Sequence, residues 1–459
     1  MNHCCRDFAR SEFLHAAIAE AGRGLPSIEP GMPIPAGTGL TRRSFVARSV
    51  GALIAVYGSS RLPLRAFEDG IANAAAAAPN APVLVTVFLA GGADALNVLF
   101  PAADPLYAKF RPTLKLDPDG ATTFTEDTRL FWHPSLASLV QLYAEGKVTV
   151  LPSIGYTHPD QSHFTSRHFW EVGATNLSLT TGWMGRFLDV TGTQDNPLQG
   201  LTLDTHLSPV LAAANVPIAA IDATDSYRFD APGVIDQVAA RMLDAIAALA
   251  VPASANDAAV QQASTAIKRS AELRAQLASF SSDGATFTVP ASYPKTGAFA
   301  KRLAGLAALL GAGLPIRCAA LTASGDYDTH VGQANPLATG LKQTADTLLA
   351  FQRDLEQRGI ADRVLTLVWT EFGRRARENG AGGTDHGAAG TGFLIGTRAT
   401  GRMVGQYAGL KGGLDPNGNL VPTADMRSLY CSLLEQWFGQ DASQVIPDAG
   451  TFPRVQVVT

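Results

Sequence analysis

Apolar residues in this chain fall into short solid runs separated by longer, interrupted ones. Pro82–Ala90 (PVLVTVFLA), Val148–Ile154 (VTVLPSI), Ile316–Ala323 (IRCAALTA), Arg363–Thr370 (RVLTLVWT) and Gly392–Gly396 (GFLIG) are nearly continuous and rich in valine and leucine. Strands buried on both faces read this way. Leu136–Glu145, Gln161–Glu171, Leu337–Arg358 and Met426–Phe438 carry their apolar residues at helical spacing, and Gly359 follows the third as a stop. Strands alternating with helices predict an α/β fold on a mostly parallel sheet. The Ala-rich stretch 234–280 has no strand signal and reads as a helical insertion.

Composition narrows the function classes. The 459 residues are 46% hydrophobic and 17% charged, which excludes a disordered chain and supplies a sizeable core. A formal net charge of −4 argues against nucleic acid as a partner. No apolar run reaches the ~20 residues of a spanning membrane helix. Cys4, Cys5, Cys318 and Cys431 form neither a disulfide framework nor a C-x-x-C metal pattern.

The amino-terminal part reads as an address. Thr41-Arg-Arg-Ser-Phe-Val46 precedes the modestly apolar Ser49–Tyr57, the pattern read by the twin-arginine export machinery. The expected division is a flexible leader extension over 1–40, a signal region over 41–78 with A-x-A sites in Ala72–Ala78, and a single domain over 79–459. The expected location is periplasmic or secreted. This route carries folded proteins, which suits a metal loaded before export.

In open α/β sheets, ligands bind beyond the carboxyl ends of the strands. The polar residues of this chain gather there: Asp94 and Asn97 after Gly91-Gly92, Ser162 and His163 after the second strand, Asp326, Asp328 and His330 after the third, Glu371 and Arg374 after the fourth, and Asp385-His386 just before GFLIG. Carboxylates suit hard cations and imidazole suits zinc-like ones. Asp94, Asp328, His330, Glu371 and His386 are the candidate ligands for one or two divalent ions, with zinc, calcium, magnesium and manganese all open. Asp326 is an alternative partner for His330, and Asp385 a further candidate. Each alone also has a bland reading: Asp94 as a turn residue, Glu371 as a partner of Arg374 or Arg375, Asp385-His386 as a capped turn. Ser162, at a helix start beside Asp160, is the candidate nucleophile; a metal at its hydroxyl would lower its pKa. His163 and His168 read as supporting or merely structural. Asn97 and Arg374 are candidate holders of an anion.

FLAGGADALNVLFP, RPTL, WHPSLASLVQLYAEGKVTVLPSIGY, SHFTSRHFWEVG, TGWMGRFLD, GDYDTH, TEFGRRARENGAGGTDHGAAGTGFLIG and ADMRSLYCSLLEQWFG resemble the blocks of bacterial domain-of-unknown-function family 1501, over about Pro82 to Gln456. That family is grouped with the alkaline phosphatase and sulfatase superfamily. The resemblance implies a three-layer α/β/α sandwich and an exported, metal-dependent hydrolase of phosphate or sulfate esters, acting on an anionic ester substrate. It maps Asp94 to the superfamily's first acid, Ser162 to its nucleophile by position, and Asp328 (or Asp326) with His330 to its mid-chain pair. Asp385-His386-Gly387 matches the superfamily's Asp-His-Gly by letters. Strand order instead gives that acid to Glu371 and makes His386 the final ligand, since no histidine follows it. No Cys stands in a C-x-P-x-R setting near residue 162, so a sulfatase-type formylglycine is not expected. The competing reading is a non-catalytic exported protein that keeps the fold for binding or assembly.

Overall fold

The structure is a computed structural model that describes residues 54–57, 73–76, 78–204, 206–221 and 292–459. The predicted insertion over 234–280 and the twin-arginine string lie outside the described residues. In chain order the elements are β1 (Ile54–Tyr57), β2 (Val83–Phe88), α1 (Ala95–Val98), β3 (Leu99–Phe100), α2 (Pro105–Phe110), β4 (Phe131–Trp132), α3 (Ala137–Ala144), β5 (Val148–Gly155), α4 (His163–Val172), α5 (Trp183–Thr191), β6 (Gly200–Thr202) and β7 (Ile218–Ile221). They continue with α6 (Ala298–Gly311), β8 (Cys318–Thr322), α7 (Ala334–Gln357), β9 (Val364–Trp369), β10 (Arg374–Glu378), β11 (Thr384–His386), β12 (Gly390–Ile395), β13 (Ala424–Asp425) and α8 (Met426–Gln436). The chain divides into two compact units. One holds Met1–Ala81, Ser178–Pro290 and Lys301–Ala320; the other holds Pro82–Leu177, Ala291–Ala300 and Leu321–Thr459.

In the first unit, β6 lies parallel to β7 and to the start of β8, while β1 runs antiparallel to β7. Helix α5 comes close to the chain over 209–213. A Cβ on Gly185 would stand 2.1 Å from the Ala212 carbonyl oxygen, so only glycine permits that approach.

In the second unit, β2 is parallel to β9 and β5 is parallel to β13, and β12 runs antiparallel between β9 and β5. Four of these five strands share one direction, so the sheet is mixed and mostly parallel, as the solid apolar runs predict. Every residue of β2, β5, β9 and β12 is buried. Helix α4 lies against the sheet through Trp170, which stacks on Trp369 at 5.3 Å between centroids, and Trp369 stacks in turn on Phe88 at 4.4 Å. Such pairs add about 0.5–1.5 kcal/mol each beyond area burial. They hold the last turns of α4 against Phe88 and Trp369, the final residues of β2 and β9. The α/β class is therefore the observed one, and among the described residues no helix is long and apolar enough to cross a membrane.

The helix expected from Gln161 begins at His163. The Asp160 carboxylate accepts from the Ser162 N–H at 2.7 Å, which makes a turn there and leaves Ser162 at the N-cap position.

Candidate metal centre

The site is built from the loops that leave β2, β5, β8 and β9 and from β11. Gly91 and Gly92 turn the chain at the end of β2 with φ of +115° and +73°. Their N–H groups donate to the two oxygens of Glu371, each at 3.0 Å. A Cβ on Gly91 would meet the Asp328 nitrogen at 2.4 Å, so glycine is what brings the loop carrying Asp328 against this turn. Glu371 is wholly buried, and its Oε1 lies 2.8 Å from His163 Nδ1. Burial opposes its ionisation, but the His163 contact, the imidazolium charge and the backbone donors outweigh it and hold the carboxyl below its usual range.

Three imidazoles and one carboxylate converge beyond that point. Asp328 Oδ1 is 3.5 Å from His163 Nε2, 3.1 Å from His330 Nε2 and 3.4 Å from His386 Nε2. His330 Nε2 and His386 Nε2 are 2.9 Å apart. Donor atoms of His163, Asp328 and His386 all lie within 4.8 Å of one another. Two ligands of a tetrahedral zinc-like ion, each at ~2.0–2.1 Å, stand about 3.3–3.4 Å apart, and these separations bracket that value. Asp328 also accepts from Arg374 Nη2 at 2.6 Å. Despite burial, the three imidazoles and Arg374 hold the Asp328 carboxyl far below the usual carboxylate range.

The far nitrogens settle which way each ring is poised. His386 Nδ1 lies 2.8 Å from the Gln161 carbonyl oxygen, which only accepts, so Nδ1 carries the proton and Nε2 keeps its lone pair. His163 Nδ1 faces the Glu371 carboxylate, and His330 Nδ1 faces Asp385 Oδ1 at 3.4 Å. Each ring thus presents Nε2 inward with a carboxylate or carbonyl behind it, as metal-binding histidines do. Two lone pairs meeting at 2.9 Å need a cation or a proton between them. The donor set fits a metal ion on this ground. Burial lowers the pKa of His386, Asp328 pulls it back up, and the nearby His163 and Arg374 push it down, for a net fall that favours the neutral, metal-binding form.

The other residues singled out from the sequence are placed differently. Asp94 is fully buried, and its two oxygens accept from Leu96 N, from both terminal nitrogens of Arg111 and from Gln333 Nε2. Four donors occupy its lone pairs, so it caps α1 and neutralises Arg111. Glu371 touches the centre through His163 instead of reaching it directly. Asp326 is exposed and accepts from the Asp328 N–H at 3.0 Å, a turn contact. Asp385 stands behind His330. Asn97 donates to the Leu114 carbonyl at 3.1 Å and accepts from Tyr107 and Arg111. Arg374 is buried, and its Nε, Nη1 and Nη2 donate to carbonyls of Gly91, Gly92, Thr384 and Tyr327 as well as to Asp328. Both side chains therefore hold the scaffold, since their polar atoms are engaged inside it. The Ser162 hydroxyl oxygen is buried without a hydrogen-bond partner, between Gln161 and His163, which both contact the cluster. His163 is the member of the cluster that sequence reading left open. Its signal was its place directly after a helix-capping hydroxyl at the end of a strand.

A mostly parallel α/β sheet thus carries, beyond its strand ends, a cluster of His163, Asp328 and His386 that could hold a metal ion. The chain belongs to the family described as a protein of unknown function, DUF1501, whose model matches residues 112–448. No curated protein sequence matches it. Among solved structures, it is similar to the C-terminal periplasmic domain of EcEptC from Escherichia coli in complex with Zn, at 9% identity and TM-score 0.33 over 80% of this chain and 87% of that one. It is also similar to the lipoteichoic acid synthase LtaP from Listeria monocytogenes, at 7% identity and TM-score 0.32 over 84% and 80%. A third likeness is to the PsFucS1 sulfatase from Pseudoalteromonas sp., at 12% identity and TM-score 0.33 over 86% and 77%.

Proposed function

We propose that this protein is an exported, metal-dependent hydrolase of phosphate or sulfate esters. One observation carries the reading: Nε2 of His163, His330 and His386 converge with Asp328 Oδ1, and each ring is backed by an acceptor at its other nitrogen. These four residues would hold one zinc-like ion. Asp94 and Glu371 are occupied by internal donors, which favours a single-ion centre over a two-ion one.

When bound, such an ion supplies Lewis acidity that polarises an ester oxygen and lowers the pKa of a nearby hydroxyl. The protein's own part is positional. Glu371, Gln161 and Asp385 fix the three rings. Arg374 holds Asp328 ionised and ties its loop to the Gly91-Gly92 turn. Ser162, at the start of the ten-residue helix α4, has a buried hydroxyl with no competing partner, which suits a nucleophile at the positive end of a helix. Its oxygen would bond to phosphorus or sulfur as the alcohol leaves with a proton, and water would then release the acid and restore the serine. The anionic substrate and the export route over residues 41–57 belong to the same proposal.

The test uses the full chain folded in the cytoplasm. The expected result is about one equivalent of bound transition metal and chelator-sensitive release of p-nitrophenol from p-nitrophenyl phosphate or sulfate. Bound metal without turnover on either ester class would favour the non-catalytic binding reading. Full turnover in the chelated His386→Ala variant would overturn the metal-dependent one.

A further inference from the structure

Asp94 and Gln333 lie outside the donor set, yet they join its two histidine-bearing loops at one point. Gln333 is fully buried just before α7. Its Nε2 donates to Asp94 Oδ2. An ionised carboxylate only accepts, so the amide NH2 must face Asp94 and the amide oxygen must face the other way. That oxygen accepts from the Thr329 hydroxyl at 3.0 Å and from the Thr384 hydroxyl. Thr329 stands between Asp328 and His330; Thr384 precedes Asp385 and His386. The backbone repeats the tie, with Thr384 N donating to the Thr329 carbonyl at 3.1 Å and Gln333 N to the Gly382 carbonyl at 2.8 Å. Arg111 anchors the other end. It pairs with Asp94 through both terminal nitrogens and donates to the carbonyls of Arg375 and Ala376 on β10, the strand paired with β11.

We propose that the Arg111–Asp94–Gln333 chain is a positioning device for the metal centre, setting the separation of His330 and His386 through the hydroxyls of Thr329 and Thr384. The inference rests on the metal reading above. It assigns to Asp94 a role in the centre without coordination. All members are buried, so each hydrogen bond is made in a low-dielectric interior, where leaving a partner unpaired is costly. Outer partners of this kind usually change metal affinity by roughly 10–100-fold.

The experiment measures zinc affinity of the full chain by competition with a chelator. The variants are Thr329→Val, Thr384→Val and Gln333→Glu, with Thr329→Ser as the conservative control and His386→Ala as the ligand knockout. Unfolding temperatures in excess chelator are read in parallel. Both valine variants are expected to fold and to bind zinc at least about tenfold more weakly. Thr329→Ser, which keeps the hydroxyl, should bind within about twofold of wild type. Gln333→Glu retains the acceptor for both threonines but sets a second carboxylate against Asp94, and should weaken binding whenever it folds. Lower unfolding temperatures with zinc affinities equal to wild type would show a purely structural network and overturn the inference, while His386→Ala still loses the metal. A wild-type chain that takes up no zinc overturns the metal reading and this inference together.

Discussion

His330 and His386 meet Nε2 to Nε2 at 2.9 Å, although an acceptor stands behind the Nδ1 of each ring. Two neutral imidazoles so arranged repel, and a bound cation would relieve that repulsion. His163→Ala and His386→Ala should each remove the metal and reduce ester turnover by roughly 10³-fold, equivalent to several kcal/mol of lost Lewis-acid stabilisation. Metal analysis of the purified variants checks this, and a full metal complement in either one contradicts it.

Metal binding should release protons. In the metal-free chain His163 is buried, which disfavours its charged form, but Asp328 and Glu371 more than compensate and raise its pKa. Its stabilising charge is therefore present below the ordinary value near 6.5 and lost as pH rises through the raised one. Glu371 and Asp328 are shifted the other way, so their contribution is present at neutral pH and lost as pH falls below the usual carboxylate range. The chelated protein should be most stable in mildly acidic solution. Zinc uptake at a pH where His163 is charged should expel its proton, measurable by calorimetry in buffers of different ionisation enthalpy. Identical heats in all buffers would count against a charged His163.

Asp94 neutralises a guanidinium that has no exposure to solvent. Asp94→Ala leaves Arg111 buried and uncompensated, which should cost about 3–5 kcal/mol of folding stability. Denaturant unfolding of the chelated chain reads it directly. A loss below about 1 kcal/mol would mean that water reaches Arg111.

The Gly91 turn couples β2 to the Asp328 loop. Gly91→Ala combines a φ of +115° with a Cβ only 2.4 Å from the Asp328 nitrogen. It should cost at least about 1–3 kcal/mol and displace Asp328, so zinc affinity should fall along with thermal stability.

Ser162→Ala should keep the metal and lose turnover. If the serine is the nucleophile, acid quenching during turnover of the wild type should trap a phosphoryl or sulfuryl group on Ser162, detectable by peptide mass spectrometry. An active alanine variant would instead assign the attack to water.

The sequence by itself determined the strands, the main helices and the class of fold. Runs such as VLVTVF and VLTLVW have no polar face, so they must be covered on both sides. That solid burial is a local property of the chain. Local pattern also placed the polar residues at strand ends, and with them Asp328, His330 and His386. Tertiary structure decided the rest, because which polar groups converge depends on where side chains separated by up to hundreds of residues point. Asp94 and Glu371 read like ligands, but Arg111, 17 residues from Asp94, and the Gly91 and Gly92 amides, about 280 residues from Glu371, claimed their oxygens. His163 read as supporting or merely structural, and folding set it between Glu371 and Asp328. Gln333 carried no signal at all, since a glutamine before a helix becomes a staple only when two distant threonines and a buried acid close around it.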